Sequence, residues 1–266
     1  MRGEVHVAFS YVCSTKRVSN LRSLLAACAL AALPLRAWAG PPFDTDDPDP
    51  TEYRNYEIYA GVSTHRDLAT SNSELGFLEV NYGLMPNVQF SVHLGLAQDT
   101  APETAAASGA EDALVGLKVR FVQETEHAPQ IAFYPQVTFA NGPAGVTAGH
   151  GTLFLPLWAQ KTIGKVTVFG GGGFQFDGDA GGPGSWQAGL AATYPLTSAD
   201  TIGIECTRTT PHDGYQQSDV GVGYIHALGP LHSLLFDVAR SYGSQPHYRA
   251  YAAYGWFLGP KAADKG

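Results

Sequence analysis

Ionisable side chains recur at alternate positions within several apolar segments of this 266-residue sequence. Successive side chains of a β-strand point to opposite faces, so residues two apart share a face. Charges of both signs on the inner face of a closed sheet can pair across the interior, or can line a passage that selects solutes. The residues predicted to share such a face, and to line a lumen, are Glu57, Glu79, His93, Asp112, Lys118, Arg120, Glu205, Asp219, Asp237 and Arg249.

Other patterns that could do chemistry are weak. The acidic stretch from Asp44 to Asp49 could bind Ca²⁺, but it lacks the turn glycine and the closing glutamate of an EF-hand loop. The glycine run 170–173 is not followed by the Lys-Ser/Thr pair of a phosphate-binding loop. The histidines show no metal-ligand spacing, and the sequence shows no local Ser/His signature of a hydrolase. We therefore predict no catalytic, metal-binding or cofactor-binding residue, and we interpret the acidic stretch as a solvated lead-in.

The elements that position the ionisable residues are predicted to be β-strands. In residues 88–96 every second residue is valine, leucine or phenylalanine, and glutamine, serine, histidine and glycine lie between them. This period of two is typical of a strand with one apolar and one polar face. Similar alternation predicts twelve strands, at about 53–64, 74–84, 88–97, 111–122, 130–140, 150–160, 165–176, 186–194, 201–209, 218–227, 232–241 and 248–258. Pro135 and Pro156 cannot donate to a strand ladder, so we expect a local bulge at each.

The N-terminus is predicted to be a secretory signal. Lys16, Arg17 and Arg22 precede a short apolar run, and the sequence Ala37-Trp38-Ala39 follows it, which predicts cleavage after residue 39. Residues 1–15 are interpreted as an extended leader, or as the product of a start codon assigned too early. The run ending at Cys28 also matches a lipoprotein cleavage box, and this alternative stays open.

The composition of the mature chain excludes some functions. Residues 40–266 carry 11 Lys and Arg against 23 Asp and Glu, a net charge of −12, which argues against a nucleic-acid partner. Only Cys206 remains after cleavage, so no internal disulfide framework is possible. The fold must therefore be stabilised by burial and by backbone pairing.

The spacing of the strands favours a membrane barrel over a soluble β-sandwich, which also alternates. Most segments have the roughly 9–11 residues with which a tilted strand crosses a bilayer. Tight connections, such as Met85–Asn87, alternate with longer polar ones, such as 98–110 and 141–149, which is the asymmetry of an outer-membrane barrel. Aromatic residues near strand ends would form interfacial girdles; they include Phe121, Phe133, Trp158, Phe176, Trp186, Tyr194 and Trp256.

We therefore predict an all-β fold, a transmembrane antiparallel up-and-down barrel of about twelve strands over residues 53–258. An acidic, proline-rich periplasmic lead-in over residues 40–52 would precede it, and a polar tail over residues 259–266 would follow it. The even strand count would place both termini in the periplasm. The expected partners are outer-membrane lipid and small-molecule solutes, and the sequence does not indicate an oligomeric state.

Several segments resemble one bacterial family. They are the start of the mature chain, residues 40–48 (GPPFDTDDP), with residues 52–57 (EYRNYE), 79–89 (EVNYGLMPNVQ) and 117–124 (LKVRFVQE). In these segments the chain resembles the MetA-pathway phenol-degradation family of outer-membrane proteins. The resemblance covers nearly all of the mature chain and implies a transporter-like outer-membrane barrel without catalytic residues. The name of this family makes hydrophobic or aromatic compounds candidate solutes.

The predicted function is that of a channel or transporter for small molecules and not of an enzyme. A lipid-modifying barrel enzyme is an alternative of another class, and a non-conducting structural or surface-interaction barrel is a third. The surroundings of Lys118 and Arg120 would distinguish an open from a filled lumen. In a pore they would border a water path and attract anions, whereas in a filled barrel they would pair with acids such as Glu79, Asp112 or Glu205 and lie beside tyrosines.

Overall fold

The computed structural model describes residues 42–66, 71–100, 106–179, 182–211, 216–242 and 246–260. The predicted signal peptide, including Cys28, and most of the polar tail lie outside the described residues. No helix in the described part of the chain is long and apolar enough to cross a membrane.

The described residues form fourteen β-strands whose bounds lie close to the predicted ones. They are β1 (Tyr56–Arg66), β2 (Ser71–Met85), β3 (Val88–Thr100), β4 (Ala107–Ala110), β5 (Leu114–Val122), β6 (Gln130–Phe133), β7 (Gln136–Thr138), β8 (Thr152–Ile163), β9 (Val166–Asp177), β10 (Ser185–Pro195), β11 (Asp200–Pro211), β12 (Gln217–Gly229), β13 (His232–Tyr242) and β14 (Tyr248–Leu258).

The strands close into an antiparallel barrel with twelve strand positions, which confirms the predicted fold class. Two of these positions are each occupied by two short strands: β4 and β5 lie end to end beside β3, and β6 and β7 lie end to end between β5 and β8. Strand β1 pairs with β14, with Ile58 opposite Trp256, and this pairing closes the ring. A closed barrel has no unpaired sheet edge, so the backbone groups within a membrane are satisfied by neighbouring strands.

The two prolines are accommodated differently. Pro135 interrupts its strand and divides it into β6 and β7. The Tyr134 amide donates to the Pro156 carbonyl at 3.1 Å, and the Pro135 carbonyl accepts from the Leu117 amide at 3.0 Å, so the sheet stays closed there. Pro156 lies within β8, opposite Gly173, without an interruption of that strand. The bulge predicted at Pro156 is therefore replaced by a continuous strand.

The distribution of side chains is the reverse of that in a soluble protein. On β3 the inner residues Gln89 and Ser91 are 4% and 2% exposed, whereas Leu94 on the outer face is 50% exposed. Leu190 on β10 is 59% exposed and Val238 on β13 is 61% exposed. An apolar exterior around a polar interior is stable in a lipid bilayer. The chain therefore folds as a transmembrane β-barrel, and the sandwich alternative is excluded.

Most aromatic residues predicted for the girdles do lie on the exterior. Phe121, Phe176 and Trp186 are 58%, 49% and 63% exposed. Trp158 is different: it is only 4% exposed and lines the interior cavity, so its assignment to a girdle is wrong. It pairs with Ala132 and Gly171 on the neighbouring strands, in a part of β8 whose inner face alternates regularly.

Candidate functional site

Residues 42–52, named here the lumen segment, lie inside the barrel. Thr45, Asp47 and Thr51 are 0%, 1% and 3% exposed. This position corrects the prediction that the acidic stretch is a solvated lead-in. The prolines at 42, 48 and 50 remove backbone donors and fix φ, so the segment forms neither a helix nor a further strand. Its remaining backbone groups are satisfied partly within the segment, where the Asp47 amide donates to Asp46 Oδ1 at 2.7 Å, and partly by side chains of the barrel wall.

Wall side chains accept hydrogen bonds from the backbone of the lumen segment. Glu205 on β11 accepts from the amides of Thr45 at 3.0 Å and Asp44 at 3.3 Å. Gln89 on β3 accepts from the Thr51 amide at 2.7 Å and from the Thr51 hydroxyl at 3.0 Å. The segment is therefore attached to β11 near its first residue and to β3 near its last, and these two strands lie on opposite sides of the closed barrel.

Three basic residues of the wall pair with the acidic residues of the lumen segment. Lys118 Nζ lies 2.9 Å from Asp46 Oδ1. Arg120 pairs with Asp49, and Arg249 pairs with Asp44. Arg249 also forms ion pairs with Glu205 on β11 and with Asp237 on β13, whose Oδ1 lies 2.6 Å from Arg249 Nη2. One guanidinium therefore joins the segment to two strands of the wall.

The wall also has a recess that fits the segment. A Cβ atom at Gly189 would collide with the side chain of Thr45, and one at Gly203 or Gly223 would collide with the ring of Phe43. The Phe43 ring packs edge-on against Phe169, with centroids 6.0 Å apart. Because these positions are glycines, the segment can approach the inner wall directly.

Burial raises the pKa of the Asp47 carboxyl to about 7, with smaller contributions from Asp46 and Asp49, although Lys118 opposes the shift. Lys118 Nζ is 4.0 Å from Asp47 Oδ1 and closer to Asp46. The same ammonium lies 4.9 Å from the centroid of the buried Tyr134 ring. Lys118 thus pairs with the Asp46 carboxylate and only partly offsets the effect of burial on Asp47.

A cavity of about 570 Å³ remains between the lumen segment and the wall. Ionisable and amide side chains from the segment and from both halves of the barrel line it, and the rings of Phe43, Tyr134, Phe154 and Trp158 also face it. On another side of the interior, apolar packing of Tyr59, Phe77, Ile225, Leu235 and Ala253 fills the space.

Nine of the ten predicted inner-face residues fall into three groups. Glu57, Glu79, His93, Lys118 and Asp219 line the cavity. Glu205, Asp237 and Arg249 are 2%, 2% and 6% exposed and form a buried cluster beneath Asp44. Arg120 lies at the end of the barrel that holds the short turns, where it also donates to Asn87 Oδ1 at 2.8 Å.

Asp112 does not occupy the position predicted for it. Strand β5 begins at Leu114, and Asp112 lies in the connection before it. Its carboxylate accepts from the amides of Asn141 at 2.9 Å and Gly142 at 2.7 Å, so it joins two connections at one end of the barrel. The predicted strand begins at residue 111, three residues before β5 does.

The acidic partners of Lys118 and Arg120 also differ from those considered from the sequence. They are Asp46 and Asp49, and not Glu79, Asp112 or Glu205. The acidic lead-in and the three inner cations were both visible in the sequence. Their opposite charges indicate that the two groups can pair, but not that they do so inside the barrel.

Comparison with known proteins identifies the fold. No protein-family model and no curated protein matches the chain. Among solved structures, the chain is similar to an outer membrane channel from Pseudomonas putida F1, with a TM-score of 0.65 and 13% identity over 83% of this chain and 100% of that one.

Two further solved barrels are similar to the chain. The translocator domain of the autotransporter NalP from Neisseria meningitidis has a TM-score of 0.54 and 12% identity over 90% of this chain and 97% of that one. The KdgM porin has a TM-score of 0.50 and 10% identity over 74% of this chain and 98% of that one. At these identities the likeness is one of fold.

Proposed function

We propose that this protein is an outer-membrane channel for small molecules, with the lumen segment as its constriction. The observation that carries the proposal is the cavity of about 570 Å³ that remains between the segment and the barrel wall. The bore of a twelve-stranded barrel lies between those of tightly filled small barrels and open porins. A bound segment of eleven residues narrows such a bore without requiring the wall to move.

The lining of the cavity favours small solutes that carry a polar group. Lys118 and His93 can donate hydrogen bonds, whereas Glu57, Glu79 and Asp219 can accept them. The four aromatic rings facing the cavity add apolar surface, which is compatible with the aromatic compounds implied by the resemblance. Small aromatic molecules with a hydroxyl or carbonyl group match both properties.

The structure offers less support for a lipid-modifying enzyme. Such an enzyme needs a nucleophile hydrogen-bonded to a histidine. The rings of four histidines in the described part of the chain contact carboxylates: His93 with Glu74, His150 with Asp177, His226 with Asp200, and His247 with Asp219. A filled structural barrel is the stronger competitor, because the lumen segment and the apolar interior packing occupy much of the bore.

Single-channel conductance in a planar bilayer distinguishes these functions. A variant with Asp44, Asp46 and Asp49 all replaced by asparagine loses its three ion pairs to the wall, so the segment should detach and the conductance should rise. The control variant carries Glu126→Gln and Asp179→Asn. Both of these acids are exposed and lie in connections between strands. Absence of conductance in the parent and in both variants, with each correctly folded, would support a filled structural barrel instead.

A further inference from the structure

Glu74, His93 and Glu111 form a cluster apart from the ion pairs of the lumen segment. Glu74 comes from β2, His93 from β3, and Glu111 from the connection between β4 and β5. One donor atom from each lies within 4.8 Å of the other two, and all three residues are half-buried. Ligands of a divalent ion bound at about 2.0–2.2 Å lie at comparable separations from one another.

The backbone leaves room for both carboxylates. A Cβ atom at Gly95 would collide with Glu111 Oε2 and would lie 3.0 Å from Glu74 Oε1. The Glu111 amide donates to the Gly95 carbonyl at 2.9 Å, which fixes the start of that side chain beside the glycine. The absence of a side chain at residue 95 therefore allows two acids to converge on the histidine.

Outer contacts orient the cluster as they do in metal sites. Ser63 Oγ donates to Glu74 Oε2 at 2.7 Å, which leaves Glu74 Oε1 directed at His93 Nε2, 2.8 Å away. The other ring nitrogen, Nδ1, faces Glu79 Oε2 at 3.8 Å. A carboxylate behind a ligating histidine fixes the tautomer and ring orientation of that histidine. The ring is also stacked on Phe77, with centroids 5.3 Å apart.

We propose that Glu74, His93 and Glu111 bind a divalent transition-metal ion of the zinc type. One imidazole nitrogen and two carboxylate oxygens suit zinc better than calcium, because calcium takes oxygen ligands almost exclusively. The positive charge of the ion offsets the repulsion between two converging carboxylates. Because His93 also lines the cavity, the cluster lies beside the lumen.

The sequence did not indicate this site, since its three ligands lie on three separate segments. Zinc binding at this cluster does not depend on whether the barrel conducts. Failure of the channel proposal would therefore leave the metal proposal intact, and the reverse also holds.

Zinc titration of the refolded mature protein, prepared without a polyhistidine tag, tests the proposal. We expect one Zn²⁺ per chain, bound more tightly than Ca²⁺ or Mg²⁺. Glu111 lies outside the strands, so the Glu111→Gln variant should fold normally. We expect it to bind zinc more than tenfold more weakly than the parent does. Glu79→Gln removes the 3.8 Å contact to the other ring nitrogen and should weaken zinc binding less than Glu111→Gln does.

The matched control is His226→Gln, which breaks a histidine–carboxylate pair of 2.7 Å at Asp200. We expect this variant to bind zinc as the parent does. His93→Asn provides a second variant should Glu111→Gln fail to refold. The proposal is overturned if the parent binds no zinc, if Ca²⁺ binds more tightly than zinc, or if a folded ligand variant binds zinc as well as the parent does.

Discussion

Lys118 Nζ lies 2.9 Å from Asp46 Oδ1, although the two residues are 72 positions apart in the sequence. The lysine is 4% exposed, so this contact neutralises a cation buried in the barrel wall. Such a buried charge is strongly destabilising when its partner is removed. The relationship makes the lumen segment part of the folded barrel and not an appendage to it.

Replacement of Lys118 tests this dependence. Lys118→Met keeps much of the apolar stem but leaves Asp46 and Asp47 without their cation. We expect the free energy of unfolding to fall by about 3 kcal/mol, the low end for breaking a buried pair, because the Asp46 side chain is 23% exposed. Urea unfolding in lipid vesicles measures the change.

The control for this experiment is Lys161→Met. Lys161 pairs with Glu124 at 3.6 Å and donates to the carbonyls of Glu126 at 3.1 Å and Ala128 at 3.5 Å. Its side chain is 31% exposed, so water can replace these contacts and we expect a loss of about 1 kcal/mol or less. Equal losses at both positions would contradict a structural role for the Lys118–Asp46 pair. The double variant of Lys118→Met and Asp46→Asn should lose less than the sum of the single variants.

The glycine recess gives a test that changes no charge. Gly189→Ala places a Cβ against Thr45, so it should displace the lumen segment and raise the single-channel conductance. Gly76→Ala is the matched control, because a Cβ at residue 76 meets nothing within 4 Å. Unchanged conductance in the Gly189 variant would show that the segment does not limit the bore.

The raised pKa of Asp47 predicts that binding of the lumen segment depends on pH. In the bound segment Asp47 keeps its proton up to about pH 7, whereas its ordinary value is 3.8. Binding therefore takes up a proton between these values, and it should weaken as the pH rises toward 7 and then level off. Conductance should accordingly increase between about pH 5 and pH 7, and Asp47→Asn should remove most of that increase.

The two faces of β10 test the membrane register. Leu190 is 59% exposed on the outer face, so Leu190→Arg should destabilise the barrel by about 2–4 kcal/mol if this residue lies near the midplane. Gln187 lines the cavity, and Gln187→Arg should be much milder. A comparable cost at both positions, measured by unfolding in vesicles, would mean that the register is wrong.

The predicted signal peptide is tested by cell fractionation. The mature protein should occur in the outer membrane as a heat-modifiable band whose first residue is Gly40. Lipid attached to Cys28 would instead establish the lipoprotein alternative, and recovery in the soluble periplasm would contradict the membrane assignment.

The strands and their two faces could be predicted from the sequence, because a period of two is a local property of the chain. Residues 88–96 alternate without interruption, and their exposure in the barrel follows that alternation. A one-residue shift would place Leu94 in the polar lumen and Gln89 in lipid, so burial fixes the register strongly. A missing backbone donor is also a local property, but it predicted an irregularity at both Pro135 and Pro156, and the strand is interrupted only at Pro135 of these two.

The location of the lumen segment was decided only by the tertiary structure. Its partners are far away in the sequence: Thr45 binds Glu205 across 160 positions, and Thr51 binds Gln89 across 38. The same holds for Glu74, His93 and Glu111. An acidic, proline-rich stretch has the same local preferences in water and in a lumen. Only closure of the barrel creates a buried set of cations and acceptors that stabilises it inside.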